Sequence, residues 1–466
     1  MANQEDQRAR AEVRPVKERI EDELLRIPGV TGVDIRRKVT KGKETEKVAI
    51  VVSVEKKKPK TALDKTELIP AEIDGVPTDV VEEKIVLQAS SVLLEEAAEP
   101  LIDATAYTTL EGGISMGPCR SVFLSPPDVP AAGNYIFVGT LGAMVRDRTS
   151  GARMALTNFH VACVDSTWAV GNTMTQPGRV DGGACPANKF GALVRAVLSD
   201  HVDGAVVSID AGKATACAIV DIGQVKGKNT AANGMAIRKR GRTTGLTYGT
   251  VTSVDQTVSI NYGDGLGTHT LKNQIRLEVD TAHSTVMSDH GDSGSVVVDA
   301  NNKVIGLLYA GIDPGHTVSF ANPIQSVLDE LNVDLCVSLV SIVTKPIICE
   351  PLVTRRVVCV KTKVSPCSLV TRPIICNLVT SPSICQINTR PATCPVVTRI
   401  CPILTRGCPI DTGPLRPGPL QPGPGTIGGA SDPGAFYGAS DPVDDAFWTG
   451  YYAALDAVTE AEQEEA

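Results

Sequence analysis

At 466 residues the chain is too long for one core, so about two to four structural units are expected. A hydrophobic fraction of 42% fits real buried cores, and scarce aromatics (4%) with abundant Gly, Val and Thr lean toward β-structure. A net charge of −8 implies no general affinity for nucleic acid or anionic membrane, and no run approaches the ~18 apolar residues that span a bilayer.

The N-terminus, "MANQEDQRARAEVRP", lacks the apolar run of a secretory leader, so a cytoplasmic location is expected; export by a route without a leader stays open. Residues 1–14 are polar and expected to be disordered. The spacing of apolar residues in "VRPVKERIEDELLRI" predicts a helix over 13–27, stopped by "PGVTGV". "VDIRRKV" and "KVAIVVSVE" read as strands, and "AEIDGVPTDVVEEKIVL" as a turn leading into another. Residues 15–95 thus form a small α/β module. Its basic run "VEKKKPK" reads as a solvated face, because acidic segments flank it and no aromatics interleave it.

Residues 115–333 change texture. Short Val/Thr/Ile runs such as "NYIFVGTLGAMV", "DGAVVSID" and "YGTVTSVDQTVSI" alternate with Gly, Asn and Asp turns, the pattern of an all-β barrel or sandwich. "GDGLG" reads as a hairpin turn and "ANPIQSVLDELNV" as an amphipathic helix packed on the barrel.

Of the 13 cysteines, nine lie between Cys336 and Cys408. Residues 336–411 form a Cys-rich repeat of about nine residues, close to "LVTRPIIC", read as stacked short strands or an extended segment interrupted by proline. Self-association through it is expected as one role. Residues 412–429 are a Pro/Gly linker. The tail, 430–466, carries six of the 17 aromatics and reads either as a peptide for a docking partner or as a disordered tail.

The chemistry centres on "SDHGDSGSVVVD" (288–299). A serine hydroxyl becomes a nucleophile only when a base takes its proton and a carboxylate fixes that base. "LTNFHV" supplies His160 after a short apolar run, and "DGAVV" supplies Asp203 at the start of another. A metal reading through His283, Asp289, His290 and Asp292 lacks the ligand spacing of ordinary zinc sites, so no metal or organic cofactor is expected.

The ordered motifs "LTNFHV", "DGAVV" and "GDSGS", followed by "KVIGLLYAG", resemble those of the chymotrypsin-like (trypsin-fold) serine peptidases. "GNTMTQPGRVDGG", "KRGRTTGLTYGTV" and "VSFANPI" resemble a bacterial branch that also has plant relatives. The resemblance implies an all-β double β-barrel over 115–333, with His160 as general base, Asp203 as its orienter and Ser293 as nucleophile. It implies an oxyanion hole from the backbone N–H groups of Gly291 and Ser293, with Asp292 supporting the loop. Met287 and Gly311 would line the substrate pocket. With Met287 where basic-specific members carry an acid, cleavage after Lys or Arg is not expected, and a small or apolar side chain is.

Ser295 and His290 depart from the family pattern and should alter the cleft floor. No activation-cleavage motif is visible, so either the enzyme is born active or the α/β module is an inhibitory pro-region. Cys163 and Cys185 are expected either as a disulfide or, in a reducing cytosol, as two thiols. The implied function is a serine endopeptidase acting on peptide or protein through an acyl-enzyme. The alternative is a non-catalytic peptide-binding or assembly scaffold.

Overall fold

A computed structural model describes residues 2–337, apart from 41, 89, 94–102, 127–128 and 264. Beyond residue 337, the Cys-rich repeat, the linker and the aromatic tail lie outside the described residues.

The Val- and Thr-rich runs of the C-terminal half form a closed sheet. Ala236–Gly241 pairs with Val296–Asp299, and the order continues through Val304–Ile312, Val318–Pro323, Thr268–Val279 and Gly245–Asn261. The last strand pairs back onto Ala236–Gly241, closing the barrel. Alternation along these strands sends Ile237, Val251, Leu277, Val297 and Leu308 into its core. The "GDGLG" hairpin is present: Gly263, Gly265 and Gly267 all adopt positive φ between the two longest strands.

The N-terminal half forms a 10-stranded sheet that includes Ile114–Pro118, Gly133–Leu141, Ala143–Asp147, Arg153–Thr157, Lys189–Leu198 and Asp203–Ser208. It wraps a core of Met116, Leu141, Met144, Phe159, Phe190 and Leu193. A third cluster joins the two barrels, mixing Leu156 and Val206 with Val298 and Leu307. The expected amphipathic helix, Ile324–Glu330, buries Ile324, Val327 and Leu328 in that cluster. Among the described residues, no helix is long and apolar enough to cross a membrane.

The α/β module is not a separate unit. The described residues fall in one compact unit. Val30–Thr40 pairs with Lys43–Val54 on one side and with Gly245–Asn261 on the other, at Gly32↔Val258 and Val33↔Thr257. The module sheet therefore extends the barrel sheet. Its helix, Ala2–Leu24, covers that extension with Val13, Ile20 and Leu24 against Val33, Ile35, Ile50 and Val52. Glu83 fastens the joint, receiving Arg36 from the module and Arg276 from the barrel.

The sequence expectations need three corrections here. Residues 2–14 are helical, not disordered, because their charges have fixed partners. Asp6 accepts from Arg10 at 2.8 Å and from Arg37 at 2.9 Å, and Arg10 also caps the Ile35 carbonyl. Pro15 thus lies inside the helix rather than near its start. Second, Cys163 and Cys185 do not bridge. Cys163 is a buried free thiol at the end of the short helix Phe159–Ala162, inside the first barrel. Cys185 lies in the exposed loop before the strand Lys189–Leu198, and pairs with Cys119, the residue after Ile114–Pro118. Third, Cys336 belongs to the barrel body and not to the repeat: it bridges Cys217.

Candidate active site

His160 lies in the single helical turn Phe159–Ala162, directly after the strand Arg153–Thr157. Asp203 opens the neighbouring strand, Asp203–Ser208. The pairing of these strands brings the two together: His160 Nδ1 lies 2.5 Å from Asp203 Oδ2, and the His160 amide donates to Oδ1 at 3.2 Å. Asp203 is fully buried and His160 nearly so. Tyr262 donates its hydroxyl to Asp203 Oδ2 at 2.9 Å, and Asn158 Nδ2 donates to the Asp203 carbonyl at 2.7 Å. Burial, followed by the Asp203 charge, pushes the Tyr262 phenol well above its ordinary range, so it stays a donor. Burial likewise raises the Cys163 thiol, again helped by Asp203, so it is no competing nucleophile.

His201 is exposed, and its ring Nδ1 lies 3.2 Å from the Lys272 carbonyl. His283 pairs with Asp280 at 2.7 Å, away from Asp292. Among the described residues, no group of three or more His, Cys, Asp or Glu side chains is arranged to hold a metal ion.

Ser293 stands in the turn before Val296–Asp299, fully buried. The loop is braced by Asp292, which is also fully buried. Its Oδ2 lies 2.9 Å from Lys239 Nζ, Oδ1 accepts from the Thr243 and Thr244 amides, and the Asp289 amide closes the turn. Burial alone would raise the Asp292 carboxyl; Lys239 and these donors overcome it and hold the group below its usual range. The ammonium thus neutralises the buried Asp292 carboxylate. Ser295, one of the departures, donates to the Asp292 carbonyl and tightens the same turn.

Gly291 has φ of 100°, and a Cβ there would sit 2.4 Å from Thr243 Oγ1. Only glycine fits. This backbone turns the Gly291 and Ser293 amides toward one point, and a carbonyl oxygen already lies there: Gln88 O, 2.6 Å from Gly291 N and 3.3 Å from Ser293 N. Ser293 Oγ donates to the Tyr309 carbonyl at 3.0 Å, and His160 Nε2 is buried without a hydrogen-bond partner.

Gln88 comes from the end of the module. Ile85–Leu87 pairs antiparallel with Val304–Ile312, and Gln88 N donates to Tyr309 O at 3.1 Å. Gly311 faces Gln88, whose Nε2 occupies the space a Cβ there would need. Met287 does not line this side: its side chain packs in the barrel core with Val251 and Leu277, and the next residue, Ser288, meets Gln88 instead. The Gln88 side chain is thus buried against Ser288 and Gly311. Sequence reasoning missed Lys239, Tyr262, Ser288 and Gln88. Lys239 stood inside the quoted "KRGRTTG", where a buried lysine needs an anionic partner, and Asp292 was the natural one.

No family model matches the chain. Serine protease 1 of Streptomyces fradiae is 31% identical over 159 residues, 34% of this chain and 40% of that protein. Glutamyl endopeptidase 2 of Streptomyces griseus is 36% identical over 120 residues, 25% of this chain and 55% of the relative. The chain therefore spans about half the length of these two. Serine protease 2 of Streptomyces fradiae is 30% identical over 173 residues, 37% of this chain and 86% of its own length. A shared identity of this depth, across nearly the whole of that last relative and on a double barrel, places this chain in the chymotrypsin-like serine peptidase family.

Proposed function

We propose that the chain is a serine endopeptidase that hydrolyses peptide bonds of peptide or protein substrates through an acyl-enzyme. In this reading Ser293 Oγ attacks the substrate carbonyl while His160 Nε2 takes its proton. Asp203 holds His160 in the required tautomer and stabilises the imidazolium. Gly291 N–H and Ser293 N–H receive the oxyanion, a pair of donors worth on the order of 10²–10³ in rate each. For the attack, Ser293 Oγ must leave the Tyr309 carbonyl that it bonds and turn to His160 Nε2, which has no hydrogen-bond partner.

The observation that carries this reading is the convergence of the Gly291 and Ser293 amides on one carbonyl oxygen, beside a buried His160–Asp203 pair. Fluorophosphonate labelling tests it. Because the chain's own strand fills the cleft, labelling is compared in wild type, in Val86→Pro, where proline disfavours pairing with Gly311, and in the corresponding Ser293→Ala proteins. Labelling that disappears with Ser293 is expected. Equal labelling with and without Ser293, or none in either background, contradicts a hydrolase.

A further inference from the structure

We propose that Arg242, held by Asp181, and the hydroxyl of Thr243 are positioning residues for the oxyanion donors of this chain. Together they fix the plane of the His290–Gly291 peptide. The proposal rests on the peptidase reading above and adds to it the residues that keep Gly291 N–H aimed at the substrate oxygen.

The need for such a device follows from the loop itself. Gly291 has φ of 100°, and glycine restrains the rotation of a neighbouring peptide less than any other residue does. In a trans peptide the C=O and N–H point in opposite directions. Turning the His290–Gly291 plane over would replace an oxyanion donor with a carbonyl oxygen, which repels the charge it should receive. The His290 carbonyl therefore has to be held.

Thr243 holds it. Its Oγ1 donates to His290 O at 2.6 Å, while the N–H of the same peptide, on Gly291, points at Gln88 O. Arg242 Nη1 donates to Thr243 Oγ1 at 3.1 Å, so the hydroxyl's own hydrogen is left for His290 O. Arg242 is fully buried, and its other two nitrogens meet one carboxylate: Nε donates to Asp181 Oδ2 at 2.6 Å and Nη2 donates to Oδ1. Ser115 Oγ donates to Asp181 Oδ2 at 2.6 Å and accepts from Gly178 N at 3.0 Å. The guanidinium lies against the loop, since a Cβ on Gly291 would come 2.7 Å from Nη1. Arg242 follows the second-barrel strand Ala236–Gly241, whereas Asp181 and Ser115 belong to the first barrel.

The neighbouring peptides are tied down from the same place. The Arg242 amide donates to Thr140 Oγ1 at 3.0 Å, and Thr140 Oγ1 donates to Gly291 O at 2.9 Å. Thr140 N donates to Ser293 O at 2.8 Å. The carbonyls of His290, Gly291 and Ser293 are thus each engaged, which leaves the Gly291 and Ser293 amides for the oxyanion.

Full-length variants in the Val86→Pro background are treated with fluorophosphonate, whose phosphoryl oxygen takes the place of the oxyanion, and labelling is followed to completion. Thr243→Val, which keeps the shape and removes the hydroxyl, should label completely but about 10- to 10³-fold more slowly than its Val86→Pro parent. Thr243→Ser, which keeps the hydroxyl, should label at the parent rate. Arg242→Lys keeps a charge beside Asp181 but has one nitrogen in place of the planar fork, so it too should slow labelling. Arg242→Lys with Thr243→Val should be no slower than Thr243→Val alone, because both act through one hydrogen bond. Equal rates for Thr243→Val and its parent, or a Thr243→Ser as slow as Thr243→Val, overturn the proposal and leave the peptidase reading intact. So does a smaller labelled fraction at the parent rate, which marks lost folded protein rather than a misaligned hole. Arg242→Lys at the parent rate, or effects that multiply in the combined variant, overturn the role of Arg242. A parent that never labels removes the peptidase reading together with this one.

Discussion

Lys239 Nζ and Asp292 Oδ2 lie 2.9 Å apart, both side chains fully buried, one residue before Ser293 in the chain. The pair fixes the loop whose amides converge on Gln88 O. Its geometry depends on two groups that cannot be solvated, so removing one leaves a bare charge in the core.

Lys239→Met is therefore expected to destabilise the chain by about 3–5 kcal/mol and to abolish fluorophosphonate labelling. Lys239→Met combined with Asp292→Asn, which removes both charges, should recover part of that stability. Urea unfolding of wild type and the two variants checks this. A single variant that keeps wild-type stability would show that the pair does not brace the loop.

Glu83 gives a pH dependence. Burial alone would raise its carboxyl, but Arg276 and Arg36 bring it down from 4.5 to about 2. A depressed folded-state value means that its contribution is complete above the unfolded value of 4.5 and is lost as pH falls toward about 2. The size is about 3 kcal/mol. Stability measured from pH 6 to pH 3 should fall in wild type and fall less steeply in Glu83→Gln. Parallel slopes would remove Glu83 from the junction between module and barrel.

Tyr262→Phe deletes a donor to Asp203 without changing volume. Labelling in the Val86→Pro background should slow by about tenfold, with a stability loss near 1 kcal/mol. A rate that is unchanged would mean that the hydroxyl does not help to hold the carboxylate.

Two disulfides, Cys119–Cys185 and Cys217–Cys336, cross-link the described residues. Peptide mapping of unreduced native protein should recover both bridged pairs and find Cys163 resistant to alkylation. Reduction should cost about 3–5 kcal/mol per bridge. Recovery of Cys163–Cys185 would contradict the arrangement.

The parts of this site legible in sequence are those encoded locally. "LTNFHV", "DGAVV" and "GDSGS" each join a catalytic residue type to the strand or turn that carries it, so His160, Asp203 and Ser293 could be read in isolation. Gln88 could not. Its strand is three residues long, and its partners Tyr309, Ser288 and Gly291 are some 200 residues away, brought there only by barrel closure. The first turns of the N-terminal helix are not legible locally, because polar residues such as Asp6 gain their order from Arg37, on a strand the sequence does not place beside them. Cysteine pairing failed for the same reason: Cys119 and Cys185 meet through the pairing of distant strands.

The central claim is that Ser293 is a nucleophile activated by His160 and Asp203, and locating its adduct tests this most directly. Peptide mapping after fluorophosphonate treatment of Val86→Pro protein should find one adduct, on Ser293. Labelling should be slower by about 10³-fold or more when His160→Ala is added. An adduct on another residue, or undiminished labelling without His160, would contradict the account.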